Sequence, residues 1–139
     1  MKLIPALRDI DPDQLHGQFA FGIETNLSGT PAMDKLWEYI SSAKENPKPY
    51  NAELAGNVSS SLALDDTDNW FMINTLRPII RKYREIFNKS TAFNRKPMFK
   101  DDIPYVLTSL WVNFQKQHEF NPMHNHSGVY SFVVFMKIP

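Results

Sequence analysis

Two apolar runs with the character of β-strands flank a short histidine-bearing turn near the end of this 139-residue chain. Residues 105–115 follow a period of two, so alternate side chains fall on opposite faces of one predicted strand. One face carries Val106, Thr108, Leu110, Val112 and Phe114, and the other carries Leu107, Ser109, Trp111, Asn113 and Gln115. Residues 129–138 (VYSFVVFMKI) are almost continuously apolar, which predicts a second strand with both faces covered. A strand, a turn with histidines and a second strand is an arrangement by which a β-scaffold holds a metal ion.

The turn between the two predicted strands contains His124 and His126, separated by one residue. In extended backbone such residues point to the same side, so the two imidazoles can meet one ion. Imidazole suits iron, zinc, copper and nickel. A catalytic metal normally has three protein ligands, and the nearby candidates for the third are His118 and Glu119. The alternative is that the histidines hydrogen-bond locally within the turn, and the spacing alone leaves both interpretations open.

Two helices are predicted upstream of these strands. Met33, Leu36, Trp37 and Ile40 recur at helical spacing, which predicts a helix that begins after Pro31, ends before residues 46–49 (NPKP) and buries Trp37. A longer apolar stripe predicts a second helix over residues 69–87, which Pro78 should kink or divide. The stripe consists of Met72, Leu76, Ile79, Ile80, Tyr83, Ile86 and Phe87.

Polar clusters near these helices have structural interpretations. Asp65, Asp66 and Asp68 directly precede the second helix, where carboxylates satisfy free N–H groups, so helix capping is favoured over a cation site. The basic run over residues 77–84 is interpreted as a solvated face. Residues 1–30 are expected to be β-rich and irregular, with His16 as a surface loop residue, and residues 50–64 to be extended or a loop.

Composition narrows the possible functions. The chain has no cysteine, which removes disulfides, zinc knuckles and thiol catalysis and suits a reducing cytoplasm. Its formal net charge of zero gives no reason to expect binding to nucleic acid or to an anionic membrane. Hydrophobic residues make up 42%, which is enough for the core of one domain, yet no apolar run approaches the roughly 20 residues of a membrane span. We therefore expect a soluble, cytoplasmic, single-domain protein.

Residues 111–139 resemble the core segment of 2-oxoglutarate- and iron(II)-dependent oxygenases, and most closely the group common in marine bacteria and their phages. The pattern consists of a Trp-x-Asn strand, the turn with His124 and His126, a Ser-Gly-Val-Tyr start of the next strand and its Ile-Pro end. The helices and the extended stretch upstream agree with this resemblance less specifically.

The resemblance implies an α+β fold in which helices pack on the outside of a double-stranded β-helix, the jelly-roll barrel also found in cupins. It places His124 at the first iron ligand. His126 stands where the family usually has a carboxylate, and an imidazole there changes the charge and iron affinity of the site. The implied cofactors are Fe(II) and 2-oxoglutarate, with Trp111, Asn113 and Tyr130 on the wall of the cofactor pocket. The substrate stays open.

The family's distal histidine and its arginine for 2-oxoglutarate belong tens of residues later, whereas the sequence ends 13 residues after His126. Such a barrel needs about eight strands, and this chain offers about half of them. We therefore expect residues 1–139 to be the N-terminal part of a longer oxygenase domain and to be inactive alone. Open strand edges would favour pairing with another copy of the chain.

Two other functions fit the same residues. One is a non-catalytic jelly-roll module with a binding or structural role. The other is a cupin-like zinc or nickel protein that uses His118, His124 and His126.

Overall fold

The computed structural model describes residues 2–3, 22–87, 104–124, 126 and 128–137. Its order of elements is β1 (Lys2–Leu3), β2 (Ile23–Glu24), α1 (Pro31–Glu45), a 3₁₀ turn (Asn51–Glu53), β3 (Ser61–Ala63), a π-helical segment (Met72–Leu76), α2 (Arg77–Phe87) and β4 (Trp111–Asn113). The fold is α+β, as predicted. The prediction for His16 lies outside the described residues.

The described strands form two antiparallel pairs. β1 pairs with β2, and β3 pairs with β4 so that Leu62 lies opposite Val112. Backbone hydrogen bonds extend the second pair at both ends, from Leu64 N to Leu110 O and from Phe114 N to Ser60 O, each at 2.9 Å. These pairs are short antiparallel ribbons.

Helix α1 confirms the predicted helix and part of its predicted buried face, since Leu36 and Ile40 are each 3% exposed. Pro31 occupies the first turn, where its missing N–H costs nothing, and the helix ends at Glu45, before Asn46 and Pro47. The prediction that Trp37 is buried is wrong, because its side chain is 42% exposed. The buried face instead follows a stripe offset by about one residue, which consists of Ala32, Leu36, Tyr39, Ile40 and Ala43.

Two of the three aspartates before the second helical region, Asp66 and Asp68, act as predicted, as caps, whereas Asp65 accepts from Thr67 N in the turn. Asp66 accepts hydrogen bonds from Phe71 N (2.8 Å) and Met72 N (3.0 Å), one with each carboxylate oxygen. Asp68 Oδ1 accepts from Trp70 N at 3.0 Å. These donors have no carbonyl partner within the helix, so the carboxylates satisfy them and complement the helix dipole.

The second helical region divides next to Pro78. Division was one of the two outcomes predicted for this proline, and a kink was the other. Residues 72–76 are π-helical, and Arg77 N donates to Met72 O, five residues back. Helix α2 then begins at Arg77, so Pro78 lies in its first turn, where proline needs no N–H partner. The wider π-helical turn accommodates the proline, and the chain stays helical on both sides of it.

The core lies between the helices and the C-terminal extended segments. Phe71 is fully buried, and around it lie the buried residues Leu36, Tyr39, Met72 and Leu76. Partly buried apolar side chains from the C-terminal half close this core, namely Tyr105, Leu107, Leu110, Val134 and Met136. The two C-terminal segments therefore form a layer against the helices.

Both strand predictions for the C-terminal half require correction. Only Trp111–Asn113 of residues 105–115 is a strand, and residues 128–137 belong to no strand in the part of the chain that the structure describes. A strand needs a hydrogen-bonded neighbour, and β3 pairs with this half over three residues only. The predicted cover on both faces of residues 129–138 is also wrong, because Val129, Val133 and Phe135 are 53%, 77% and 74% exposed.

Candidate metal centre at the histidine turn

The loop that carries the histidines is joined to the segment before β3. We call this the loop junction, and it consists of residues 56–61 and 113–121. Asn57 N donates to Phe120 O at 2.9 Å, and the Ser61 hydroxyl donates to Asn113 Oδ1 at 2.8 Å. Ser61 is only 1% exposed, so its hydroxyl needs this partner. The junction therefore fixes both ends of the loop that precedes the histidines.

Glu119 links the two sides of the loop junction through its carboxylate. Oε1 accepts from Ser59 N at 3.1 Å, and Oε2 accepts from Lys116 N at 2.9 Å. The amide donors of Lys116 and Ser59 lower the pKa of Glu119 below its ordinary value. Both oxygens are thus engaged by backbone N–H groups in this arrangement, and Glu119 acts as a loop clamp in it rather than as a metal ligand.

Gly56 lies against Asn121 at the end of the loop junction. A Cβ atom built on Gly56 would lie 1.8 Å from Asn121 Oδ1 and 3.2 Å from Phe120 O. The absent side chain is therefore what allows the two segments to approach closely.

The two histidines of the turn lie side by side. The ring centroids of His124 and His126 are 4.6 Å apart, with an angle of 63° between the ring planes, and both residues are exposed. Two imidazoles that share one ion, with metal–nitrogen bonds of about 2.0–2.1 Å, have ring centres roughly 4.5 Å apart when their bonds to the ion are perpendicular. The spacing is compatible with a pair of ligands to one ion and also with an edge contact between two rings, so metal binding by this pair stays a prediction.

The ring of His124 is held by the backbone of its own turn. Its Nδ1 lies 2.8 Å from Pro122 O, and a carbonyl oxygen can only accept, so Nδ1 carries the proton. In the neutral ring Nε2 then has a free lone pair. Histidine ligands of metals commonly have their other nitrogen fixed in this way.

No third ligand joins the pair among the described residues. That part of the chain contains no group of three or more His, Asp or Glu side chains able to hold a metal ion. His118 is exposed and adopts a left-handed backbone conformation with φ of 70°. The candidate centre thus consists of two imidazoles, to which a complete site would add further ligands.

Two of the three predicted cofactor-binding residues lie on β4. The ring of Trp111 stacks on Tyr50, with centroids 5.2 Å apart, and is half-buried. Asn113 uses its Oδ1 to accept from Ser61, so its amide nitrogen is the group left for a ligand. Tyr50 packs on the Trp111 ring, and Ser61 of β3 holds the Asn113 side chain.

Tyr130, the third predicted cofactor-binding residue, belongs to a tyrosine cluster. Its ring makes edge contacts with Tyr83 and Tyr105, each at a centroid distance of 5.6 Å, and Arg84 donates to the Tyr105 hydroxyl at 3.1 Å. Burial and a hydrogen bond with Tyr105 raise the pKa of Tyr130 to about 12. Tyr130 is therefore a neutral hydroxyl at physiological pH, and its contacts tie residues 128–137 to α2.

Comparison of the chain with protein-family models, curated proteins and solved structures finds no match. Among the described helices, none is both long enough and apolar enough to span a bilayer.

Sequence patterns did not reveal the loop junction or the tyrosine cluster. Ser59 and Glu119 are 60 positions apart, and Arg84 and Tyr105 are 21 apart, so no local periodicity connects them. The one available signal was Gly56 within a segment of small polar residues, which marks a place where another backbone approaches closely.

Proposed function

We propose that this chain carries the metal-binding turn of an iron(II)- and 2-oxoglutarate-dependent hydroxylase built on a double-stranded β-helix. The observation that carries the proposal is the adjacency of His124 and His126, at a spacing that suits two ligands of one ion. The α+β arrangement, with helices against one side of the C-terminal segments, supports the α+β part of the proposal.

In this proposal each histidine has a defined role. His124 binds iron through Nε2, because the carbonyl of Pro122 holds the proton on Nδ1. His126 supplies a second neutral imidazole at the position where the family that the chain resembles has a carboxylate. The net charge of the occupied site is therefore one unit more positive than in that family. Bound iron(II), together with 2-oxoglutarate and dioxygen, would supply the oxidising chemistry of the hydroxylation.

Trp111, Asn113 and Tyr130 would form the wall of the cofactor pocket. The Asn113 amide nitrogen and the neutral Tyr130 hydroxyl are donors of the kind that carboxylate groups require. Support for this part comes from the chemistry of the two donors and from the sequence resemblance.

The experiment is an anaerobic titration of the chain with Fe(II), followed by addition of 2-oxoglutarate and then oxygen. We expect one Fe(II) per chain, and we expect succinate release once the remaining ligands of the whole enzyme are present. Absence of Fe(II) uptake by protein with both histidines intact would overturn the proposal. Elemental analysis of protein purified without added metal distinguishes it from a cupin-like zinc or nickel site formed by His118, His124 and His126.

A non-catalytic module that pairs with a second copy of itself is the second candidate. It is favoured by the exposed set of Val129, Val133 and Phe135, which alternates with Tyr130, Val134 and Met136 on the core side. Exposed apolar surface of this kind marks an interaction site. The net charge of zero adds no long-range repulsion between two copies, so the occupant we propose is the same surface of another chain.

A further inference from the structure

We infer that Glu119 is a positioning residue for the candidate metal site, a role that rests on the proposed function. Its carboxylate would hold the histidine turn in its binding geometry by clamping the loop to the segment before β3. It would not touch the metal itself.

The first observation is that Glu119 connects segments that are distant in sequence. One oxygen accepts from Ser59 N, on the segment that leads into β3, and the other from Lys116 N, at the start of the loop. Each bond is charge-assisted, which makes it about twice as strong as a bond between neutral groups. A single side chain thus crosslinks the loop to the segment that leads into β3.

The second observation is that the backbone around Glu119 is held at the same place. Glu119 N donates to Lys116 O at 3.1 Å, and the side-chain amide of Gln115 donates to Glu119 O. Asn57 N bonds the next carbonyl, that of Phe120. Glu119 is therefore the residue at which the loop is fixed, five positions before His124.

The third observation is the short path from this fixed point to the metal ligands. Asn121 follows directly and contacts Gly56, and Pro122 then supplies the carbonyl that orients the His124 ring. Pro122 lies three positions after Glu119, so a shift of the loop at Glu119 would move the Pro122 carbonyl that orients the His124 ring. Positioning groups of this type act on the orientation of a ligand and hence on metal affinity.

The test compares Co²⁺ affinity in wild type and three variants, with the metal alone as the probe. Cobalt suits the experiment because it follows iron in the affinity order for nitrogen ligands and can be handled in air. We expect Glu119→Ala to weaken Co²⁺ binding by about tenfold or more, as is typical for residues that orient ligands. Glu119→Gln retains one acceptor oxygen and should fall between Glu119→Ala and wild type. Glu53→Ala, which removes an exposed glutamate from the 3₁₀ turn, is the matched control and should bind as wild type does.

The readouts separate positioning from general loss of structure. Affinity is measured at a temperature where circular dichroism shows each variant to be folded, and Glu119→Gln serves if Glu119→Ala does not fold. In the His126→Ala background, where the His124 ring is kept, the Glu119 substitution should still weaken Co²⁺ binding, because Glu119 acts through that ring. Equal Co²⁺ affinity of wild type and both Glu119 variants would overturn the inference. Failure of wild type itself to bind Co²⁺ would instead overturn the proposed function.

Discussion

The Tyr39 hydroxyl donates a hydrogen bond of 2.6 Å to Asp66 Oδ1 and so ties helix α1 to the cap of the next helical region. The same carboxylate accepts from the backbone N–H groups of Phe71 and Met72. One side chain therefore satisfies a helix terminus and joins two elements of the core. Burial and the hydrogen bond to Asp66 raise the pKa of Tyr39, which keeps its hydroxyl protonated as the donor.

Replacing Asp66 by alanine should destabilise the protein by about 2 kcal/mol or more, because it removes a cap and leaves the Tyr39 hydroxyl without this acceptor. Urea unfolding followed by circular dichroism measures the change. Asp65→Ala is the control, since Asp65 is exposed and accepts from Thr67 N in the turn rather than from an N–H of the helix. Equal loss of stability in the two variants would contradict the role given to Asp66.

Sequence periodicity predicted the helices better than it predicted their faces. The spacing of Leu36 and Ile40 was enough to place α1, because helical repeats are local. The buried face was wrong at Trp37 because the neighbour that selects Tyr39 for the interior, Asp66, lies 27 positions away. The stripe that is in fact buried runs through Ala32 and Ala43. Alanines give a weak hydrophobic signal in the sequence, so tertiary contacts decide that this face is buried.

The strands were predicted less well, for a related reason. Apolar and polar residues do alternate in residues 105–115. A strand also needs a hydrogen-bonded partner, however, and β3 pairs with this segment over only three residues. The i, i+2 rule concerns two histidines of one short stretch, whose rings are in contact, and their binding of a metal stays a prediction. The clamp at Glu119 could not be predicted, because its partner Ser59 is 60 positions away.

Substitution of His124 by alanine should abolish high-affinity binding of Fe(II), and substitution of His126 should weaken it, because each removes one imidazole of the pair. Isothermal titration under anaerobic conditions gives the affinities. His118→Asn is the control, as asparagine tolerates the left-handed backbone at this position, where φ is 70°. A loss of affinity in His118→Asn as large as that in His124→Ala would place a third ligand at His118.

Gly56→Ala should destabilise the loop junction by about 1–3 kcal/mol, since the added Cβ would meet Asn121 Oδ1 at 1.8 Å. Thermal unfolding measures the cost. Adding Asn121→Ala removes the Oδ1 atom that would clash with the new Cβ, so the double variant should recover much of the stability. No recovery in the double variant would show that the cost comes from the backbone at Gly56 and not from this contact.

The raised pKa of Tyr130 predicts that the protein loses stability at high pH. Its pKa rises from 10.0 to about 12 in the folded state, so the folded protein retains this proton more strongly than the unfolded chain does. The stabilising contribution is therefore complete below pH 10 and is lost as the pH rises through about 12. Absorbance titration of tyrosinate should show a late-titrating group that is missing from Tyr130→Phe. A titration curve unchanged by this substitution would contradict the assignment.

The exposed apolar side chains of residues 129–135 predict self-association through Val133. Val133 is 77% exposed and lies between Val129 and Phe135 on the outward side of the segment, so a two-fold contact would bring two copies of Val133 near each other. Sedimentation analysis over a range of concentrations should show a rising mass for wild type and a constant monomer for Val133→Lys, because the change places like charges in the contact. Ile73→Lys, at another exposed apolar position (44%), is the control and should still associate. A wild-type protein that stays monomeric at the highest concentrations, or equal dissociation by both lysines, would show that this surface does not bind a second copy.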